Sequence, residues 1–184
     1  RTDRSLNPRP ERQDMSRTVS LLYTLAIVAA GGASAHGDYV WPLSLEPQLT
    51  SSFAEYRPGR FHAGIDLRTA GVGRDVFAAG DGYISRVRCS PYGYGKAVYL
   101  QLSDGNVAVY AHLSDYYDGL ADFVHQEQRR RERYTIDVHL KPSQFPVSKG
   151  QLIAKSGQTG IGAPHLHFET RDAAHEPVNP RLLG

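Results

Sequence analysis

Short runs in which apolar and polar residues alternate dominate this chain, and a period of two reads as β-strand. Asp75 to Ala79 and Tyr83 to Val87 are β-prone runs separated by Gly80-Asp81-Gly82, a hairpin signal. Ala97 to Leu102 and Asn106 to His112 flank Ser103-Asp104-Gly105, a second hairpin signal. In the latter strand Val107, Val109 and Ala111 share one face, and Ala108, Tyr110 and His112 the other. His112 is thereby placed at a strand end, where a side chain can project into a groove. Pro42, Pro47 and Pro58 punctuate the stretch from Trp41 to Gly59, which reads as loops with short extended pieces.

Residues 114–146 break the period. Leu120, Phe123 and Val124 fall at i, i+3 and i+4, ahead of the almost wholly charged or amide stretch Gln126 to Arg133. This predicts one amphipathic helix with a solvated C-terminal half. Tyr134, Ile136, Val138 and Leu140 then alternate with polar residues, as in a strand. The fold class that follows is mainly β: an antiparallel sheet or sandwich core with a substrate groove and one inserted helix.

The amino-terminal stretch has a different pattern. Arg17 follows Met15, Val19 to Ala30 is an apolar run of signal-peptide length, and Ala33-Ser34-Ala35 is an A-x-A cleavage site. The run is too short for a membrane span. Residues 1–14 are polar, contain two Pro, and read as translated upstream sequence or a disordered extension. The division is therefore 1–35, an upstream extension plus export signal (Met15–Ala35), and 36–184, one domain with an insertion at about 114–146. The mature chain is expected to lack a transmembrane helix and to reside in the periplasm or elsewhere in the cell envelope.

Charge narrows the partners. The formal net charge is +2, but residues 1–35 hold five Arg and three acids, so the remainder has 21 − 5 = 16 basic and 19 − 3 = 16 acidic residues. A balance of zero excludes the basic footprint of a nucleic-acid binder. Cys89 is the single cysteine, which rules out an intrachain disulfide and a cysteine-rich metal cage, and it reads as a small buried residue. Gly157 to Pro164 is Gly-rich but lacks the Gly-Lys-Ser/Thr ending of a phosphate loop.

Candidate chemistry sits in two places about a hundred residues apart. His165-Leu166-His167 on a strand sends both imidazoles to one face together with Glu169, while Leu166 and Phe168 face the core. The two imidazoles can divide roles between holding a metal and moving a proton. His62-Ala63-Gly64-Ile65-Asp66 offers a further imidazole and a carboxylate. On a straight strand i and i+4 are about 13 Å apart, too far for two ligands of one ion. The chain must bend between them, and Gly64 permits a bend or bulge. Three protein ligands would leave a fourth zinc position open, and an imidazole titrating near neutrality could move the proton. No His-Glu-x-x-His is present, so histidine must act as base if the chain is a peptidase. His36, His125, His139 and His175 read as ordinary surface or core residues.

The segments Phe61-His62-Ala63-Gly64-Ile65-Asp66, Tyr110-Ala111-His112-Leu113, Gly157-Gln158-Thr159-Gly160 and Pro164-His165-Leu166-His167-Phe168-Glu169 resemble, in order and spacing, the lysostaphin-like zinc metallopeptidases. These are peptidoglycan endopeptidases, and the resemblance runs from about Trp41 to about Leu182. It implies that His62, Asp66 and His167 bind Zn2+ and that His112 and His165 form the catalytic pair. That pair would act on the attacking water and on the tetrahedral oxyanion. It implies a peptidoglycan peptide as substrate and a groove-bearing antiparallel β fold. Tyr56 falls where some members place an aromatic beside the reacting carbonyl, although a loop Tyr is more often packing. The departure is the insertion, which begins just after His112 and is expected to border the groove. The alternative function is a non-catalytic wall-binding or hydrolase-activating relative, and a third reading is a β domain whose zinc is structural. Retention of all five polar positions favours the enzyme over both.

Overall fold

The computed structural model describes residues 39–117, 119–160 and 162–182, all within one of the chain's two structural units, Ser34–Gly184. The expected export signal, Met15 to Ala35, lies outside the described residues. The strands before the insertion are β1 (Leu49–Ser51), β2 (Tyr56–Arg57), β3 (Arg60–Phe61), β4 (Ile65–Arg68), β5 (Asp75–Phe77), β6 (Gly82–Cys89), β7 (Lys96–Leu102) and β8 (Val107–Tyr116). Helix α1 (Gly119–Arg130) and β9 (Ile136–His139) follow, then β10 (Pro146–Val147), β11 (Leu152–Ser156), β12 (His165–Arg171) and β13 (Pro177–Val178). Eleven of these strands make one antiparallel sheet in the order β1-β4-β12-β8-β7-β6-β10. Off this path β11 pairs with β5 and β8, β13 with β12, and β9 with β6, while β2 and β3 form a separate ribbon.

Strands β7 and β8 form the expected hairpin about Ser103-Asp104-Gly105. The other expected hairpin does not form. Gly80-Asp81-Gly82 is a turn, but β5 before it pairs with β11, and β6 after it pairs with β7, β9 and β10. The turn changes the chain's partner instead of folding it back on itself. β5 is three residues long and gains more from capping β11, which brings Val76 into the core.

Alternation sorts the residues of β8 between two apolar clusters. Ala108 and Tyr110 join the main core with Ile65, Leu67, Leu100, Leu166 and Phe168. Val107, Val109 and Ala111 join Ala97 and Tyr99 in a smaller cluster. His167 lies opposite Ala111 and Glu169 opposite Val109, so both project on the smaller cluster's side of the sheet. The functional face is therefore the one with the lesser apolar cover.

The insertion takes the expected form. Leu120 and Val124, one turn apart, are the buried residues of α1, and Phe123 meets Phe145 edge to face. Asp122 in the first turn and Arg129 and Arg130 in the last complement the helix dipole. β9 adds to the sheet beside β6, with Ile136 in the main core. Cys89 is fully buried against Tyr116, as a small core residue.

Candidate metal centre and active site

Three central strands and one bend assemble the site. β12 lies between β4 and β8, with His167 opposite Asp66 on one side and Ala111 on the other. His62 arrives from the segment between β3 and β4. The bend expected at Gly64 is present, but Gly64 has no left-handed backbone, and its requirement is space. A Cβ there would stand 2.3 Å from the carbonyl oxygen of Phe168 and 2.8 Å from Cγ of Glu169. Only glycine lets this bend lie flat on β12 and carry His62 back over Asp66.

The three acceptors converge. His62 Nε2 lies 3.0 Å from His167 Nδ1 and 3.1 Å from Asp66 Oδ1, and His167 Nδ1 lies 2.8 Å from the same oxygen. All three residues are buried, and together they could hold a metal ion. The outward nitrogens decide the tautomers. His62 Nδ1 meets the carbonyl of Ser52 at 2.8 Å, and a carbonyl only accepts, so the proton is on Nδ1. His167 Nε2 donates in the same way to Glu169 Oε1 at 2.8 Å. In the neutral rings Nε2 of His62 and Nδ1 of His167 are then lone pairs, facing each other and a carboxylate. Three inward lone pairs repel unless a cation sits among them. Imidazoles oriented by a carbonyl and a carboxylate are the usual supports of metal ligands.

Electrostatics point the same way. Burial opposes charge on Asp66, yet the adjoining His167 and His62 imidazoles, once either carries positive charge, and the hydrogen bond from Arg57 hold its carboxyl far below the ordinary range. Burial would lower the His167 imidazole, but Asp66 and Glu169 on either side push it up. Glu169 is completely buried. Burial raises it, and His167, Tyr94 and Arg171 more than compensate, bringing it down to about 2. One imidazole between two ionised carboxylates attracts positive charge, as a proton or as a metal.

The second pair of imidazoles stands beside this group. The rings of His112 and His165 meet edge to face with centroids 4.8 Å apart, and His112 lies 5.7 Å from His167. His165 Nε2 is 3.5 Å from Asp66 Oδ1. Strict alternation would have sent His112 to the core with Tyr110, and the structure corrects that expectation. Tyr110 pairs with Val98 and Leu113 with Lys96, so Ala111 and His112 together oppose the single residue Ala97. This is a β-bulge, with His112 at φ 60°. The bulge turns His112 to the His167 side and gives Leu113 the core position. A left-handed backbone at a non-glycine residue costs about 1 kcal/mol or more. The Gly157–Thr159 segment holds it there. A Cβ on Gly157 would stand 2.5 Å from the backbone nitrogen of Ser114. Thr159 accepts from His112 Nδ1 at 3.0 Å and donates through Oγ1 to Leu113 at 2.7 Å. Burial pulls the His112 imidazole down to about 4. Burial lowers His165 as well, and its Nδ1 donates to the Ala163 carbonyl at 3.1 Å.

All five sequence-derived residues thus meet in one place, and His62, His112 and His167 among them line a cavity of about 310 Å³. Tyr56 does not join them. It is 72% exposed, packs edge to face on Phe61 and does not line the cavity. Nor does any residue of 114–146 line it, contrary to the expectation for the insertion. β9 stacks beyond β6, which β7 separates from β8. Three residues of the site were not singled out by the sequence: Arg57, Tyr94 and Arg171. Arg57 donates to Asp66 Oδ2 at 2.8 Å. Tyr94 stacks on His167, with centroids 5.4 Å apart, and hydrogen-bonds Glu169. Arg171 pairs with Glu169 Oε2 at 2.6 Å. Arg171 continues the period of two from His165, His167 and Glu169, a signal that could have found it. Arg57 and Tyr94 carry no such signal.

Comparison with known proteins gives a consistent result. The model of peptidase family M23 matches residues 60–129, a stretch that includes His62, Asp66 and His112 and ends within α1. The DD-carboxypeptidase/endopeptidase Mpg of Neisseria meningitidis serogroup B is 33% identical over 122 residues, covering 66% of this chain and 22% of that protein. The peptidoglycan DD-endopeptidase ShyB of Vibrio cholerae is 33% identical over 129 residues, covering 66% of this chain and 24% of that protein. The match thus spans about a quarter or less of these relatives. The catalytic domain of lysostaphin from Staphylococcus simulans superposes with a TM-score of 0.53 at 26% identity, over 74% of this chain and 92% of that domain.

Proposed function

We propose, for a chain that belongs to peptidase family M23, that it is an exported zinc metallo-endopeptidase hydrolysing peptide cross-links of bacterial peptidoglycan. The observation that carries this reading is the convergence of three buried lone pairs within 2.8–3.1 Å of one another, with two more imidazoles beside them. His62, Asp66 and His167 would hold Zn2+, and the orientation of both imidazoles by Ser52 and Glu169 fits that role. When bound, the ion supplies Lewis acidity toward the scissile carbonyl and the attacking water.

The chain's own residues supply the rest. His112 Nδ1 is committed to Thr159, so its Nε2 is free to take a proton, and its depressed basicity keeps the ring neutral at physiological pH. His165 is oriented the same way by Ala163. The pair accepts a proton from the attacking water. The imidazolium formed faces the developing oxyanion and then gives the proton to the leaving amine. Arg57 fixes the second oxygen of Asp66, leaving the first for the ion.

ShyB is named a peptidoglycan DD-endopeptidase and Mpg a DD-carboxypeptidase/endopeptidase, which supports the substrate and an envelope location. The expected signal at Met15–Ala35 supports export, and no described helix is long and apolar enough to cross a membrane. Presence of all five polar groups in one cluster speaks against a non-catalytic wall-binding relative. The test is incubation of the zinc-loaded chain with purified sacculi, with mass spectrometry of the released fragments. New peptide amino termini that disappear on chelation and return with zinc are expected. Sacculi left intact at every zinc concentration overturn the proposal.

A further inference from the structure

Three arginines line the cavity beside the histidines: Arg57, Arg60 and Arg88. Arg57 is committed to Asp66 and Ser51. The other two differ. Among the described residues neither Arg60 nor Arg88 makes a side-chain hydrogen bond or an ion pair. For Arg88 the reason lies in the sheet. Asp137 on β9 stands directly opposite it, but that carboxylate is gripped at both oxygens by Arg86, at 2.7 and 2.5 Å. On the other side Arg88 faces Ala97, which offers no acceptor. The one acid in the cavity lining is Glu169, completely buried and already shared by His167, Tyr94 and Arg171. Arg60 and Arg88 therefore both line the cavity, and neither guanidinium is hydrogen-bonded or ion-paired to an acid of the described residues.

We infer that Arg60 and Arg88 form a carboxylate subsite, so that the peptide bound here is an acidic one. This rests on the proposed peptidase reading and sharpens it. A neutral cross-link such as a glycine bridge would strip water from two unpaired cations and return nothing, whereas a carboxylate can take a bidentate bond from Arg. A cavity of 310 Å³ is about 8 Å across if round, or between two and three residues of extended chain. The carboxylate thus lies within about two residues of the scissile amide. It is either a free carboxylate on an internal diamino-acid residue or the terminal α-carboxylate of a stem peptide.

The experiment separates the subsite from the chemistry. Matched cross-linked peptides are prepared with both carboxylates free, with only the internal one amidated, and with only the terminal one amidated. Binding is measured by calorimetry to the zinc-loaded His112→Ala chain, and kcat/KM to the unmutated chain. Free peptide should bind at least tenfold tighter than one of the two amidated forms, and that form identifies the carboxylate. Added to the His112→Ala background, Arg88→Gln or Arg60→Gln should bring the ratio down to below about threefold. Arg88→Lys should retain part of it, and Arg130→Gln, on the exposed end of α1, all of it. Equal binding of all three peptides, or a preference that survives the Arg60→Gln/Arg88→Gln double substitution, overturns the subsite. Selective binding without any hydrolysis by the unmutated chain upholds the subsite and overturns the peptidase reading. Hydrolysis without selectivity does the reverse.

Discussion

The strip β4–β12–β8 and the outer edge made by α1 and β9 are built on opposite terms. At the edge, Leu120, Val124 and Ile136 go inward, and the charges stay outside in pairs such as Glu127 with Arg130 and Arg131. Every element there is consistent with water on one side and hydrocarbon on the other. In the strip, His62, Asp66, His112, His167 and Glu169 are buried on the sheet's other face. Burying five ionisable groups is unfavourable unless each is paired, and here each is held by a neighbour in the cluster or by Ser52, Arg57, Thr159, Tyr94 or Arg171. The edge is an ordinary amphipathic cover on the core, whereas the strip gathers groups that could hold a metal ion. One region serves the fold and the other spends stability on chemistry.

Substitutions can break this contrast, beginning where the effect is largest. His62→Ala or Asp66→Ala should abolish both zinc binding, measured by metal content after dialysis, and hydrolysis of sacculi. A variant that kept stoichiometric zinc would remove that residue from the ligand set. His112→Ala should lower kcat by about 10²–10⁴-fold while metal content stays at one per chain. Full activity in this variant would show that the imidazole pair does not move the proton. Glu169→Gln keeps the shape but weakens the support of His167, and zinc affinity should fall about 10–100-fold in a competitive chelator titration. Unchanged affinity would reduce Glu169 to a packing role.

The edge should answer differently. Leu120→Ala should cost about 2–4 kcal/mol of unfolding free energy in denaturant titration, with kcat per folded molecule unaltered. A loss of kcat there would mean that the insertion reaches the site after all. The smallest effect is expected for Glu127→Gln, which breaks surface ion pairs and should leave the melting temperature where it was. A clear drop would show that the solvated half of α1 is held by its charges.

The residues that alternation governs were readable in advance. Leu166 and Phe168 do face the core and His165, His167 and Glu169 the groove, because a strand's period of two admits no other outcome. The helix in the insertion was equally plain from Leu120, Phe123 and Val124. Failures occur where the chain departs from period. His112 lies one residue past the point where the bulge resets the alternation, and nothing local marks Ala111-His112 as the place. Gly64 was the right residue for a different reason, since its neighbour Phe168 lies on a strand a hundred positions away. The Gly80-Asp81-Gly82 turn looked like a hairpin because turn chemistry is local and strand pairing is not. Arg57 and Tyr94 have no periodicity to betray them.

By itself, then, the amino-acid order determined which side chains could bind a cation, which residues of β12 and α1 face the core, and that the domain is mainly β. Those are properties of nearest neighbours and of backbone geometry, which each short segment carries with it. Tertiary structure alone decided that His62 folds over Asp66, that a bulge clamped by Thr159 swings His112 out of the core, and that Arg86 takes the carboxylate opposite Arg88. Each of those depends on strands far apart in the chain competing for the same partner, and such a competition has no outcome until the sheet is assembled.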